Sequence, residues 1–339
     1  MSDTSSEIVV VTGGTAGVGR ATVRRFAAAG AHIAILARGQ DALDATAREV
    51  ARLGGRALPI QVDVADAAQV FAAAERIERE LGPIDIWVNN AMTTVFGRAD
   101  QLAPEELRRV TDVTYHGYVW GTLAALRAMR PRRCGTIVQV GSALAHRAIP
   151  LQAAYCAAKF AIRAFTDSLR SELLHDGIKI NLTMVQLPAV NTPQFRWCEN
   201  KLPVAPQPVP PIFQPELAAE AIWFAAHHPR REIWFGASTI RAILGQDIVP
   251  GFVDRYLATR GYDGQSAGVP RRLNGASNLF EPVPGDHGAH GDFELRARNR
   301  DVPARIGTWL GAAGIRAAFA TAVLGVVVGG TWMLARTRI

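Results

Sequence analysis

Thr12-Gly13-Gly14-Thr15-Ala16-Gly17-Val18-Gly19 is the stretch that decides the fold. It follows an apolar run, Ile8-Val9-Val10-Val11, and precedes a helical pattern from Arg20 to Ala29. Strand, glycine turn and helix in that order make a nucleotide cradle, in which backbone N–H groups and the positive helix end aim at a pyrophosphate. About half a chain further on, Tyr155-Cys156-Ala157-Ala158-Lys159 sets a phenol and an ammonium four residues apart, on one face of a helix. Ser142 stands thirteen residues before that tyrosine, at the end of a strand expected over 135–141.

Apolar runs at 8–12, 32–36, 57–62, 84–89, 136–141, 179–184 and 232–235 alternate with helical patterns. Repeated βαβ units require a parallel sheet covered on both faces. The fold class is therefore α/β, a doubly wound parallel sheet of Rossmann type with about seven strands. Ligands bind beyond the carboxyl ends of such strands, where the glycine turn and Ser142 both fall. The chain divides into 1–240, a dinucleotide-binding catalytic domain, 241–305, an extension and tether, and 306–339, a terminal hydrophobic helix.

Over roughly residues 5–240 the motifs resemble those of the short-chain dehydrogenase/reductases. The glycine spacing is Gly13-x-x-x-Gly17-x-Gly19. Asp63-Val64 follows the third strand, Asn89-Asn90-Ala91 the fourth, and Pro188-x-x-x-Thr192 the sixth, with Ser142, Tyr155 and Lys159 between. Two positions depart from the family pattern. Thr114 stands where the family carries an active-site asparagine, whose backbone carbonyl helps hold a water near the lysine. Ala189 stands where the proline is usually followed by glycine.

The resemblance implies a Ser-Tyr-Lys site that interconverts a carbonyl and an alcohol by hydride transfer. A free tyrosine, with pKa about 10, exchanges protons poorly at neutral pH. Lys159, one turn along the helix, is expected to stabilise the phenolate and lower that pKa. Tyr155 is then the acid in reduction and the base in oxidation, and Ser142 donates to the carbonyl oxygen. Thr114 is carried as a catalytic candidate through its backbone carbonyl. By the same resemblance Lys159 also holds the nicotinamide ribose, and Thr12, Gly13, Thr15, Gly17, Val18 and Gly19 form the cradle. Asp63 and Val64 meet the adenine, Asn89 packs against the cofactor beside Ala91, and Pro188, Val190 and Thr192 lie at the nicotinamide end.

Cofactor choice is read at the end of the second strand, Ile35-Leu36-Ala37-Arg38. An acidic residue there would bind the ribose 2′-OH and repel a 2′-phosphate. Alanine followed by arginine favours NADP(H), because a guanidinium pairs with the phosphate through charge-assisted hydrogen bonds. A solvated surface arginine is the plainer alternative.

The net charge of +7 comes almost wholly from arginine, since Lys159, Lys179 and Lys201 are the only lysines. No basic patch is interleaved with aromatics in the manner of a nucleic-acid interface. Cys134, Cys156 and Cys198 are odd in number and lack metal-ligand spacing, which fits a reducing compartment, with Cys156 a small buried thiol. Asp286-His287-Gly288-Ala289-His290-Gly291 reads as a structural turn, and no metal is expected there. The polar start, Met1 to Glu7, offers no secretory signal.

Residues 193–215 carry seven prolines where the family places its substrate-covering loop, so they are expected to form a lid rather than a plain connection. Residues 237–260 read as partly helical, and 261–305, rich in Gly, Pro, Asp, Asn and Arg, as a surface wrap or tether. Ala317 to Leu334 is eighteen residues without a charge, with Arg316 before it and Arg336 and Arg338 after it. At 1.5 Å per residue that is roughly 27 Å, close to a bilayer's hydrocarbon thickness. Trp309 to Ile315 would lengthen the span, and Trp309 and Trp332 suit the interfaces. A membrane anchor with a cytoplasmic catalytic domain is expected, the alternative being a helix buried between subunits of a homo-oligomer. Gly325-x-x-x-Gly329 would permit close helix pairing in either case. The substrate is expected to be an apolar carbonyl or alcohol, and a catalytically weak NADP(H)-binding scaffold or sensor is the alternative function.

Overall fold

The computed structural model describes residues 6–271, 276–300 and 308–321. Its centre is one parallel sheet of seven strands: β1 Ile8–Thr12, β2 His32–Ala37, β3 Ala57–Gln61, β4 Ile86–Asn89, β5 Cys134–Ser142, β6 Lys179–Leu187 and β7 Glu232–Trp234. The spatial order is β3-β2-β1-β4-β5-β6-β7, so the chain reverses direction across the sheet between β1 and β4. A crevice opens at such a switch point, beyond the strands' carboxyl ends. All five residues of β1 are buried, as a central strand covered on both faces requires.

Alternate residues of the strands feed two cores. Val9, Val11, Ile33 and Ile35 pack with Phe26 of α1 (Gly17–Ala27) on one face. On the other, Val10, Leu36 and Trp87 pack against α3 (Ala67–Glu80) and α5 (Gly117–Met129). The remaining crossovers are α2 (Gln40–Arg52), α4 (Pro104–Thr111) and α6 (Ala153–His175). Local chemistry sets the helix starts. Asp66 caps α3 by accepting from the amides of Ala68 and Gln69, and Pro104 opens α4 with a fixed φ.

Strands β5 and β6 run further than the sequence pattern implies, paired in register from Cys134–Lys179 to Ser142–Leu187. Gly141 permits this late pairing, because a Cβ there would lie 2.2 Å from the Gln186 side-chain oxygen. The proline-rich segment forms α7 (Gln194–Trp197) and short bridges, before α8 (Pro215–His227) resumes the regular pattern. Beyond the sheet come α9 (Ala237–Ile248) and α10 (Pro250–Asp263).

The C-terminal part is described in two stretches. Residues 276–300 lie over the protein's own surface, where Asn278, Pro282, Val283 and His287 line the crevice. A helix over 308–321 packs on the body, with Ala312 and Ile315 buried against Trp234 and Ile243, so Trp309 to Ile315 cannot lengthen a membrane span. Arg316, half exposed, lies 4.9 Å from the Trp234 ring centroid and 4.0 Å from Asp247. No helix among the described residues is long and apolar enough to cross a membrane, and 322–334 of the expected span lie outside them.

Candidate active site

The glycine turn closes on itself. Gly13 has φ +64°, and a Cβ there would lie 2.8 Å from the Ala91 Cα; a Cβ on Gly19 would lie 2.1 Å from the Gly13 carbonyl oxygen. Only glycine lets these backbones approach so nearly. Gly13, Thr15, Gly17 and Val18 face the crevice, whereas Thr12 and Gly19 support it from behind. Thr12 Oγ1 accepts from the amides of Asn90 (2.9 Å) and Ala91 (3.2 Å), tying the end of β1 to the loop after β4.

Asn89 is not where the resemblance put it. Its amide is fully buried on the α5 side, donating to Thr122 Oγ1 and Gln139 Oε1 at 3.0 Å and accepting from Trp87 Nε1 at 2.8 Å. Every polar atom of that side chain is spent inside the protein. The strand alternation turns the next residue to the other side, so Asn90 and Ala91 line the crevice instead.

Ser142 stands at the end of β5, and α6 brings Tyr155 and Lys159 to it. Ser142 and Tyr155 both line the crevice, Ser142 acts to lower the pKa of the phenol, and its Oγ accepts from the Leu144 amide at 3.1 Å. Lys159 is buried and donates to the Val140 carbonyl (2.8 Å) and to the hydroxyl of Tyr118 (3.0 Å). Tyr118, on α5, donates to the same carbonyl at 2.9 Å. Sequence reasoning missed this residue, which reads there as an ordinary core aromatic.

The electrostatics depart from expectation. Burial raises the Tyr155 phenol above its ordinary pKa, and Ser142 offsets only part of that. Burial also pulls Lys159 down to about 7. The Lys159 ammonium lies 5.5 Å from the Tyr155 ring centroid, with its donors engaged on Tyr118 and Val140. Desolvation therefore outweighs the expected lowering of the phenol's pKa by Lys159, and Tyr155 is held protonated. Cys156 is raised to about 11 by burial, which keeps it a thiol at neutral pH.

Thr114 sits in a single π-turn, Asp112–His116, between α4 and α5. Its hydroxyl donates to the Thr93 carbonyl (2.9 Å) and accepts from the Thr93 amide (3.1 Å). That side chain anchors the loop after β4 and does not reach Tyr155 or Lys159.

A cavity of about 850 Å³ joins these groups. At one end lie Arg38, Asp63 and Val64; at the other, Ser142, Tyr155 and Lys159, with Pro188, Val190 and Thr192 along one bank. Leu144, Ile149, Val209, Val253 and Leu257 also line it, and residues 207–211 of the proline-rich segment form part of its wall. Asp63 pairs with Arg109 at 2.6 Å, and the Arg38 guanidinium donates to the carbonyls of Asn278 and Phe280. Arg109 is a second cation at this end that sequence reasoning did not single out.

Comparison with known proteins decides what this arrangement belongs to. The sequence pattern of the family described as short chain dehydrogenase matches residues 7–200. The uncharacterized oxidoreductase YxnA of Bacillus subtilis is 31% identical over 283 residues, covering 83% of this chain and 80% of that protein. This chain belongs to the short-chain dehydrogenase family. It is accordingly an oxidoreductase of that family.

Dehydrogenase/reductase SDR family member 7B of Bos taurus is 34% identical over 52% of this chain and 56% of its own length. Estradiol 17-beta-dehydrogenase 11 of Mus musculus is 33% identical over 50% and 57%. The chain thus spans little more than half the length of these two relatives. Among solved structures, a short-chain dehydrogenase/reductase from Mycobacterium marinum aligns with TM-score 0.52 and 32% identity over 56% of this chain and 76% of its own. An alcohol dehydrogenase from Thermococcus sibiricus, complexed with 5-hydroxy-NADP, shares the fold at TM-score 0.59 and 24% identity, covering 67% of this chain and 95% of its own.

Behind the site of this family member lies a buried hydrogen-bonded pair. His146 Nε2 is 2.8 Å from Glu232 Oε1, to which Gln186 also donates at 2.7 Å. Burial works to raise the Glu232 carboxyl, but these hydrogen bonds and the His146 charge hold it down to about 2. The pair joins the loop after β5 to β7, fixing the floor beneath Ser142. In the turn at 286–291, Asp286 pairs with Arg20 and His290 with Glu216.

Proposed function

We propose that this short-chain dehydrogenase reduces apolar ketones or aldehydes, and oxidises the corresponding alcohols, with NADP(H). The observation that carries the reading is one cavity lined by Ser142, Tyr155 and Lys159 together with the glycine turn and Arg38. The residues present suit a dinucleotide. Glycine backbones leave room at the cradle, and cations stand at both ends. Gly13, Thr15, Val18 and Ala91 would hold the pyrophosphate region, Asp63 and Val64 the adenine, Arg38 a 2′-phosphate, and Pro188, Val190 and Thr192 the nicotinamide end. A nicotinamide held there would supply hydride to the substrate carbon, or take it up in the reverse direction.

The protein's own part is to place the carbonyl and move a proton. Ser142 donates to the carbonyl oxygen, and Tyr155 Oη–H delivers its proton to the oxygen as negative charge develops there. A phenol kept protonated by burial is charged for reduction, because an alkoxide is far more basic than any phenolate. Lys159 restores the balance electrostatically, and Tyr118 holds its ammonium in place. The apolar chamber of Leu144, Ile149, Val209, Val253 and Leu257 excludes water from this transfer.

The apolar substrate class has further support at the rim. Helix α10 exposes Phe252 and Tyr256, with Val249 exposed at its start, while its Val253 and Leu257 line the chamber. Arg255 and Arg260 lie on the same helix, and past residue 321 the sequence continues apolar to Leu334. A negatively charged bilayer surface matches both the apolar residues and the cations. We take it as the source of substrate, with the catalytic domain on the cytoplasmic side.

A second reading, an NADP(H)-binding scaffold or sensor, is favoured by one observation: the donors of Lys159 point to Tyr118 and Val140 rather than to Tyr155. Screening the full chain for NADPH oxidation against aliphatic, aromatic and terpenoid carbonyls separates the two. Turnover of apolar carbonyls supports the enzyme, whereas NADPH binding with no turnover across the panel supports the scaffold.

A further inference from the structure

The segment 278–291 crosses the cavity and is fastened on both of its banks. On the glycine-turn side, Arg38 donates to the Phe280 carbonyl at 2.6 Å, Arg20 pairs with Asp286 at 3.2 Å, and the Gly17 amide donates to the Gly288 carbonyl at 3.1 Å. On the opposite bank, the Asn278 amide donates to the Trp197 carbonyl at 3.0 Å, and the Gly291 amide to the Asn191 carbonyl at 3.3 Å. Gly291 is pressed so closely there that a Cβ would lie 2.4 Å from the Thr192 carbonyl oxygen. Asn278, Pro282, Val283 and His287 form cavity wall opposite the cradle.

We propose that residues 278–288 are a strap that completes the dinucleotide site, and that nucleotide enters and leaves only when this strap lifts. The inference rests on the cofactor reading above. The strap lies beyond residue 200, where the family match ends. It contributes His287 and Asn278 as nucleotide-facing side chains beside Arg38. It also couples closure to occupancy, because Gly17 and Arg38 serve the strap and face the nucleotide at once. An enzyme so built holds its nucleotide between encounters with substrate and releases it slowly.

Asp286 is the fastening that can be removed alone. It is partly exposed, and Arg20 keeps its other partner, Glu49 at 2.6 Å, when Asp286 is lost. The test is stopped-flow fluorescence of NADPH release from the full chain, comparing wild type with Asp286→Ala and with Asp286→Glu, which restores the charge. Release tenfold or more faster in Asp286→Ala, largely recovered in Asp286→Glu, is the expected result. Hydrogen exchange gives a second readout: saturating NADPH should slow the amides of Asn278, Gly288 and Gly291 in the wild type. Equal release rates in wild type and Asp286→Ala, or strap amides indifferent to NADPH, would overturn the strap and leave the oxidoreductase reading standing. Failure of the wild type to bind NADPH at all would overturn both.

Discussion

The ammonium of Lys159 lies 3.0 Å from the hydroxyl of Tyr118, a residue on another helix, and both donate to the carbonyl of Val140. That three-way contact fixes where the buried cation stands relative to Tyr155. It also explains how a lysine drawn down to about 7 by burial keeps a defined orientation.

Tyr118→Phe tests the contact. A hydrogen bond to a charged group contributes roughly 1.5–3 kcal/mol, so the proton-transfer step should slow about ten- to a hundredfold. Because Tyr118 acts through Lys159, kcat for carbonyl reduction should fall with little change in KM, and its pH profile should shift. A fall in thermal stability with kcat intact would make Tyr118 a packing residue only.

The His146–Glu232 pair makes an acid-stability prediction. Glu232 has a folded pKa near 2 against an ordinary 4.5, a depression, so its contribution is complete above about 4.5 and is lost as pH falls towards 2. At about 1.36 kcal/mol per unit this is roughly 3 kcal/mol. Urea unfolding of the wild type should show that loss across the window. His146→Ala should be destabilised by about 1–3 kcal/mol at pH 7, since it takes a hydrogen-bond partner from a buried carboxylate. A near-zero effect at pH 7 would mean the pair is solvated in solution.

Cofactor choice rests on Ala37 and Arg38. Changing Ala37 to Asp and Arg38 to Ser should move preference from NADPH towards NADH by about ten- to a hundredfold, the worth of charge-assisted contacts of roughly 1.5–3 kcal/mol. Ratios of kcat/KM for the two cofactors give the answer. A wild type that already prefers NADH would show that Arg38 serves the strap alone.

Membrane association is checked by fractionating the full-length protein. It should sediment with membranes, and high salt should weaken that association, as the cations of α10 require. Recovery in the soluble pool would remove the bilayer as the source of substrate.

Much of this architecture was legible because each strand ends in its own chemistry. The glycine turn, Asp63-Val64, Ser142 and Pro188 each mark a carboxyl end, and a βαβ alternation permits little but a parallel sheet. Asn89 was misplaced because the side a residue faces changes with every step along a strand, and Asn90 takes the groove. Tyr118 was hidden because its partner Lys159 is 41 residues away and an aromatic inside a helix reads as core. The strap was hidden for a related reason. The Gly- and Pro-rich composition of 261–305 reports the absence of regular structure, but not the surface on which it lies. Burial set the Tyr155 and Lys159 pKa values, and a sequence shows which groups are charged without showing how deeply they sit.

The measurement closest to the central claim is single-turnover reduction by Tyr155→Phe, run beside NADPH binding. The variant keeps the ring and its packing and removes only the hydroxyl that shares the cavity with Ser142. Binding should be near wild type while the rate of carbonyl reduction falls by about a hundredfold or more, the span of a lost general acid. A reduction rate within a few-fold of wild type would contradict the account, because the proton would then come from elsewhere.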